Sequence, residues 1–387
     1  MRGLSDTELE SKNVLLRTDL NLPIEDGEPQ KTVRFERYLE TIEEISEKGG
    51  KTLIVAHQGR PSRSDFLSLE DHAKILSDEL GKDVELVKSF FGSELGEAVA
   101  SIQEGDVKLL ENIRLLSEEL QNLPAERHAN DYFVENAEKY FDIYVNDAFS
   151  AAHRSHASLV GFNSHLDDYA GLVMERELES CRKIRDELDS PTLVLGGEKP
   201  SDIIGMLEKM IDDVEKVLLG GVPGELALVI EGNSLGEKKQ WLEQQGLDGS
   251  KDELEALLDE HGEKFVLPED VRTADGNQEV GEVPEDAMVW DIGEKTEEKF
   301  AEKIRESDSV LMKGPMGAFE DHPSGTKTVV EAIAENNGFT VLGGGHTSSL
   351  VQRFDHDLEE FSHVSIAGGA FVRFMSGEKL AAVEALR

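Results

Sequence analysis

Apolar residues in this chain come in short bursts. NVLLRTDL, KTLIVAH, VELV, VKLLEN and DIYVND occupy the first half, and PTLVLGG, EKVLLGG, EKFVLP, AMVWDIG, SVLMKGP, FTVLGGG and SHVSIAGG the second. Each burst is rich in Val, Ile or Leu and closes on a glycine or a polar turn. A stretch of helical period then follows. Strands without polar alternation are buried on both faces, so this alternation predicts parallel βαβ units with helices on either side of a sheet. A closed eight-stranded barrel is less natural, since no eightfold pattern is present.

Between the two sets lies HLDDYAGLVMERELESCRKIRDEL, roughly residues 165 to 188, whose spacing predicts a long amphipathic helix stopped at Ser190-Pro191. A chain of 387 residues exceeds one ordinary core. The expected fold is therefore α/β, with two doubly wound parallel-sheet (Rossmann-like) domains joined by a long hinge helix. The boundaries drawn are 1–165 for the first domain, 166–189 for the helix and 190–370 for the second. Residues 269–285, EDVRTADGNQEVGEVPE, have the composition of a long polar loop.

Charge changes this picture. The chain has 81 acidic against 40 basic residues, a formal net charge of -41, and the acids are spread along its whole length. Nucleic acid and anionic membrane are poor partners for such a surface, because phosphate neutralisation needs basic footprints. No segment approaches the ~20 apolar residues of a membrane span. The polar start, MRGLSDTELESKN, lacks the apolar stretch of a signal peptide, so a cytoplasmic location is expected. A single cysteine, Cys181, leaves no internal disulfide and no cysteine metal cage.

Against an acidic background, Arg and His gathered in loops point to an anionic ligand. In an α/β sheet, ligands sit beyond the carboxyl ends of the strands. The first half places there Arg17 to Asn21, then His57-Gln58-Gly59-Arg60, then Glu111 to Arg114, then Asn146 to Phe149 running into His153-Arg154-Ser155-His156. Any one of these arginines alone is more often a surface ion-pair partner. Together they suit a small, multiply anionic molecule. His153, His156 and His165 lack a metal-site pattern. The second half supplies glycine at Gly196-Gly197, Gly220-Gly221, Gly314 to Gly317, Gly343-Gly344-Gly345 and Gly368-Gly369, which suggests close backbone approach to a nucleotide. Glu320 is placed to bind a ribose. Neither GxxxxGK[ST] nor GxGxxG is present.

These motifs, in order, resemble those of the phosphoglycerate kinase family. RTDLNLPIEDG is similar to the family's RxDFNVP opening, AHQGRP to its SHLGRP loop, LLENIR to LLENxR, and VNDAFSAAHRSHAS to VNDAFGxAHRxHAS. LGGEKPSD, KGPMGAFE, LGGGHTSS and SHVSIAGGA resemble its LGGAKVxD, NGPxGxFE, GGGDT and SHxSTGGGA segments.

The resemblance implies that Asp19, Leu20, Asn21, Arg34, His57, Gln58, Gly59, Arg60, Arg114 and Arg154 hold 3-phosphoglycerate or 1,3-bisphosphoglycerate. Arg34 would stabilise the transferring phosphoryl group and Lys199 would reach the same group. The nucleotide, ADP or ATP with Mg2+, would meet Lys199, Gly220, Gly221, Glu320, Gly343, Gly344, Gly345, His346 and Thr347. The implied reaction is reversible, in-line phosphoryl transfer after hinge closure, by a monomer of the acidic, halophilic archaeal type. Residues 371–387 would pack back on the first domain.

Departures from the pattern are Ile203 in place of a second Lys, Lys313 in place of Asn, His346 in place of an acid that helps hold Mg2+, and Ala367 in place of a glycine. They leave the metal ligands unknown. They also motivate a second reading, a catalytically silent nucleotide- or anion-binding protein on the same fold. A kinase for another small carboxylate would alter the set Arg60, Arg114 and Arg154. Screening makes a uniformly acidic surface tolerable in concentrated salt. Activity is accordingly expected to rise from dilute buffer to molar KCl; a maximum in dilute buffer with loss in molar KCl would refute the halophilic reading.

Overall fold

The computed structural model describes residues 1–5, 7–344, 350–351, 353–365 and 367–386. It divides into two compact units, Met1–Glu179 with Glu378–Arg387, and Ser180–Gly377.

The first unit is built on six parallel strands: β1 (Asn13–Arg17), β2 (Lys51–Val55), β3 (Glu85–Val87), β4 (Val107–Leu110), β5 (Ile143–Asn146) and β6 (Asp167–Ala170). Their order is β3-β4-β2-β1-β5-β6. Alternate residues feed two cores. Val14, Leu16, Ile54, Leu109 and Val145 pack with Phe35 and Ile42 of helix α1 (Val33–Glu47) and with Leu76. Leu15, Leu53, Val55, Leu110 and Tyr144 pack on the other face with Leu95, Phe133 and Phe162. Both faces are covered, which is why the strands carry no polar alternation.

The second unit repeats the plan with β7 (Thr192–Leu195), β8 (Lys216–Leu219), β9 (Phe265–Val266), β10 (Ser309–Lys313), β11 (Phe339–Gly343) and β12 (His363–Ser365), in the order β9-β8-β7-β10-β11-β12. Every pair is parallel. This is the strand order of the doubly wound dinucleotide-binding sheet, with its switch point between β7 and β10. The first sheet differs in that its fourth strand lies between the third and the second, leaving β1 beside β5.

Three local expectations are corrected. The helix expected from about residue 165 begins later, as α2 (Leu172–Glu187). Asp167–Ala170 is instead an edge strand paired with β5. The break falls at Gly171, where a Cβ would collide with the buried Asp147 carboxylate. That same carboxylate accepts the N–H groups of Val173 (2.9 Å) and Met174 (3.0 Å), capping α2. The expected loop 269–285 holds two antiparallel strands, Asp270–Thr273 and Gly276–Glu279, joined through Gly276 at φ +98°. AMVWDIG supplies the third strand of that small sheet, Asp291–Ile292, instead of a parallel strand. Gly276–Glu279 is largely exposed, so its polar composition hid it.

Helix α2 runs across the division between the units. The helix Gly368–Met375 stays with the second unit, where its Phe371 ring occupies the space a Cβ on Gly343 would need. The return to the first unit comes at Glu378. Leu380, Ala382 and Leu386 are buried there, and the Ala382 N–H donates to the Ala152 carbonyl at 2.9 Å. Because the Asp147 carboxylate satisfies two otherwise unpaired helix amides, Asp147→Ala is expected to cost about 1–3 kcal/mol, with part recovered in Asp147→Asn. Denaturant unfolding of the two variants measures it.

Candidate functional site

In the first unit the strands that carry arginine-bearing loops, β4, β2, β1 and β5, are neighbours in the sheet. Their carboxyl ends therefore lie side by side, and the loops interlock. The Asp19 carboxylate accepts the Asn21 N–H at 2.9 Å and the Ser150 hydroxyl, and lies 3.8 Å from an Arg34 guanidinium nitrogen. The Asn21 Oδ1 in turn accepts the Gly59 N–H at 2.8 Å. Gly59 sits at φ +64°, and a Cβ there would strike the Asp65 carbonyl, so this turn needs glycine. The Gly59 carbonyl accepts from the Arg114 guanidinium, tying the β2 loop to the β4 loop.

Two proposed ligands prove to be structural at the side chain. Leu20 is fully buried in the core that α1 covers. Gln58 spends its amide on the Leu22 N–H and carbonyl (2.9 and 3.0 Å), the Asp65 carbonyl (3.2 Å) and His72 Nε2 (3.0 Å). Burial, reinforced by Arg154 and Arg17, pushes the Arg114 guanidinium down to about 10. Arg154 is lowered by burial and then by Arg60. Both remain cations at neutral pH. Arg60 is exposed and Arg34 partly so.

Behind them lies a buried layer in which Arg17 and His156, both noted at strand ends in the sequence, meet Glu119 and Ser158, which sequence reasoning did not assign. Arg17 donates from Nε to the Ser158 hydroxyl at 2.8 Å and approaches His57 Nδ1 at 3.1 Å and Glu119 at 3.8 Å. Glu119, also buried, accepts the Ser158 N–H (2.9 Å) and hydroxyl (2.7 Å) and stands 3.8 Å from His156 Nδ1. An arginine ending an otherwise apolar strand was the available signal. Its carboxylate partner lies far along the chain, and no local pattern marks it.

Burial, then Arg17, Arg114 and Arg154, hold His57 well below its ordinary value, so it is neutral. Guanidinium can only donate, so Nδ1 accepts from Arg17 and the proton is on Nε2. That leaves its Nε2–H as a donor. Burial and the same arginines push His156 down to about 3. His165 donates its Nε2–H to the Ala129 carbonyl at 2.8 Å. Among the described residues no three His, Cys, Asp or Glu gather into a metal-holding group.

The second unit is organised differently. The N–H groups of Gly196, Gly197, Gly220 and Gly221 donate to the carbonyls of Lys313 (2.8 Å), Pro315 (2.7 Å), Leu195 (2.8 Å) and Met316 (2.7 Å). A Cβ on Gly314 would come within 2.5 Å of the Gly196 carbonyl oxygen, and one on Gly221 within 2.7 Å of the Gly197 nitrogen. These glycines let three loops pack backbone against backbone. Their amides are bonded to one another's loops, so the close backbone approach here is between the loops themselves.

Lys199 is exposed immediately before helix α3 (Pro200–Met210), while Ile203 within that helix is buried. Glu320 is exposed, and its carbonyl accepts from Arg353 at 2.6 Å. The Arg353 guanidinium also lies over the Phe319 ring at 5.6 Å. Gly343 ends β11 and Gly344 follows at φ +146°. Gly345, His346 and Thr347 lie outside the described residues.

One unit thus offers a convergent cationic pocket with a neutral imidazole donor, and the other a rigid glycine floor flanked by lysine. That is the equipment of an enzyme acting on a small polyanion together with a second, nucleotide-like ligand. A phosphoglycerate kinase family model matches residues 4–378. Phosphoglycerate kinase of Halorubrum lacusprofundi is 44% identical over 96% of this chain and 95% of that protein. The Methanopyrus kandleri enzyme is 41% identical over 99% and 96% respectively. The crystal structure of phosphoglycerate kinase from Pyrococcus horikoshii superposes with a TM-score of 0.93 at 33% identity, covering 100% of this chain and 98% of that one. The chain belongs to the phosphoglycerate kinase family.

Glu119→Ala removes the carboxylate beside buried Arg17. It is expected to destabilise the chain by about 3–5 kcal/mol, as for other broken buried pairs; chemical denaturation of variant and unaltered chain measures it.

Proposed function

We propose that the arginine edge of the first unit holds 3-phosphoglycerate and 1,3-bisphosphoglycerate, and that the second unit holds ADP and ATP. The reaction is that of a phosphotransferase with a carboxyl group as acceptor: the acyl phosphate of 1,3-bisphosphoglycerate passes its phosphoryl group to ADP, reversibly. The supporting observation is the set His57, Arg60, Arg114 and Arg154 beyond the ends of β2, β4 and β5, with Arg34 at the start of α1, in a chain of this family.

Each group has a chemical part. Arg114 and Arg154 stay charged, His57 offers an Nε2–H to a ligand oxygen, and Asp19 with Asn21 braces the loops that carry them. Leu20, Gln58 and Gly59 enter through the backbone they shape. Arg34 supplies positive charge to the transferring phosphoryl group, where charge stabilisation counts most. Lys199 is assigned to the nucleotide's terminal phosphate, Gly220 and Gly221 to the base, Glu320 to the ribose, and Gly343 to Thr347 to the remaining phosphates. Attack is in line, with no covalent protein intermediate.

Mg2+, where bound with the nucleotide, would neutralise phosphate charge. We infer a cytoplasmic monomer of the halophilic archaeal type, supported by the net charge of -41. Among the described residues no helix is long and apolar enough to cross a membrane. A silent binding protein is not favoured, because curated relatives 44% and 41% identical over nearly the whole chain are phosphoglycerate kinases.

A coupled assay in concentrated salt with Mg-ATP and 3-phosphoglycerate tests the function, and absence of turnover would refute it. In that assay Arg34→Ala is expected to lose two to four orders of magnitude in kcat, about 3–5 kcal/mol. A change confined to KM would remove Arg34 from the transition state.

A further inference from the structure

Ser150 stands where the family pattern VNDAFGxAHRxHAS has glycine, so its hydroxyl is a group this chain adds to the arginine edge. It lies in the short turn Phe149–Ala151 that follows β5. From there the hydroxyl donates to Oδ2 of Asp19. The Asp19 side chain is only 3% exposed, so each of its oxygens must find a donor within the protein. Oδ1 takes the Asn21 N–H at 2.9 Å, and Oδ2 takes Ser150. The Arg34 guanidinium approaches that same Oδ2 and stops at 3.8 Å, beyond the ~2.7–2.9 Å of a charge-assisted hydrogen bond. A hydroxyl therefore occupies the lone pair that the guanidinium would otherwise claim.

We propose that Ser150 is a positioning residue for phosphoryl transfer: by holding Oδ2 of Asp19 it keeps the carboxylate from closing on Arg34, and leaves that guanidinium's charge to the transferring group. This rests on the assignment of Arg34 to the transferring phosphoryl group. Without the hydroxyl, Oδ2 is a buried acceptor lacking its donor, and the nearby guanidinium satisfies it by moving about 1 Å. Arg34 is 23% exposed and lies at the start of α1, so its side chain has room to move. An arginine hydrogen-bonded to a carboxylate has part of its charge offset before the reaction starts. That offset falls on the transition state, where the charge is needed, and so on kcat.

A double-mutant cycle in the coupled assay with Mg-ATP and 3-phosphoglycerate tests this. Ser150→Ala is expected to lose about three- to tenfold in kcat, with KM for 3-phosphoglycerate within about twofold of the unaltered chain. Ser150→Thr, which keeps the hydroxyl, should stay within about twofold in kcat. In an Arg34→Ala background, Ser150→Ala should cost nothing further, because the serine acts through that arginine. If Ser150→Ala does not fold, Ser150→Gly, with the residue of the family pattern, takes its place. An unchanged kcat in Ser150→Ala, the same loss in the Arg34→Ala background, or a Ser150→Thr as impaired as Ser150→Ala would each overturn the proposal. With Arg34→Ala impaired, those results strike this inference alone. An Arg34→Ala with undiminished kcat, or no turnover by the unaltered chain, would sink the reading it rests on as well.

Discussion

Like-charge repulsion governs the edge of the first sheet. Burial lowers the proton affinity of Arg114 and Arg154, and their arginine neighbours, Arg17 and Arg60 among them, lower it further. Such a cluster persists without ligand only if it is braced. Glu119 lies beneath it and Asp19 beside it, each held by hydrogen bonds from backbone amides and serine hydroxyls. Two carboxylates do not neutralise the set, so the pocket keeps an unspent positive field. An arriving polyanion relieves strain already present, instead of inducing order, which is how preorganised sites gain from binding.

The histidines follow from the same field. Surrounded by arginines and out of water, His57 and His156 cannot take up a proton near neutrality. Acid–base catalysis by them is thereby disfavoured. Phosphoryl transfer to a carboxylate needs no such catalysis, since its demands are positioning and charge. An imidazole locked as a neutral Nε2–H donor can select an oxygen without adding a charge that pH would switch off.

The alternation of apolar bursts and helical spacing sufficed for two parallel sheets, because both faces of each sheet are buried and the strands show it. It failed where burial is one-sided or slight. Asp167–Ala170 is an edge strand with two acids, and Gly276–Glu279 faces water, so neither carries an apolar run. In the site, the arginines were visible because they stand in loops of an acidic chain. Glu119 was not, since its role depends on Arg17 and Ser158, which only the fold brings near. The glycine pairs were legible as close approach, but sequence could not say approach to what. Several of them approach each other, and their amides are consumed in doing so.

The tie between Ala382 and Ala152 has a consequence for biosynthesis. The loop that carries Arg154 is fastened by residues made only after the second unit. A ribosome releases the first 179 residues long before that strap exists, so the nascent first unit waits with an apolar seat uncovered for Leu380, Ala382 and Leu386. The arginine edge is thus finished only after the second unit has been made, and a chain interrupted before Glu378 would carry Arg154 on an unfastened loop.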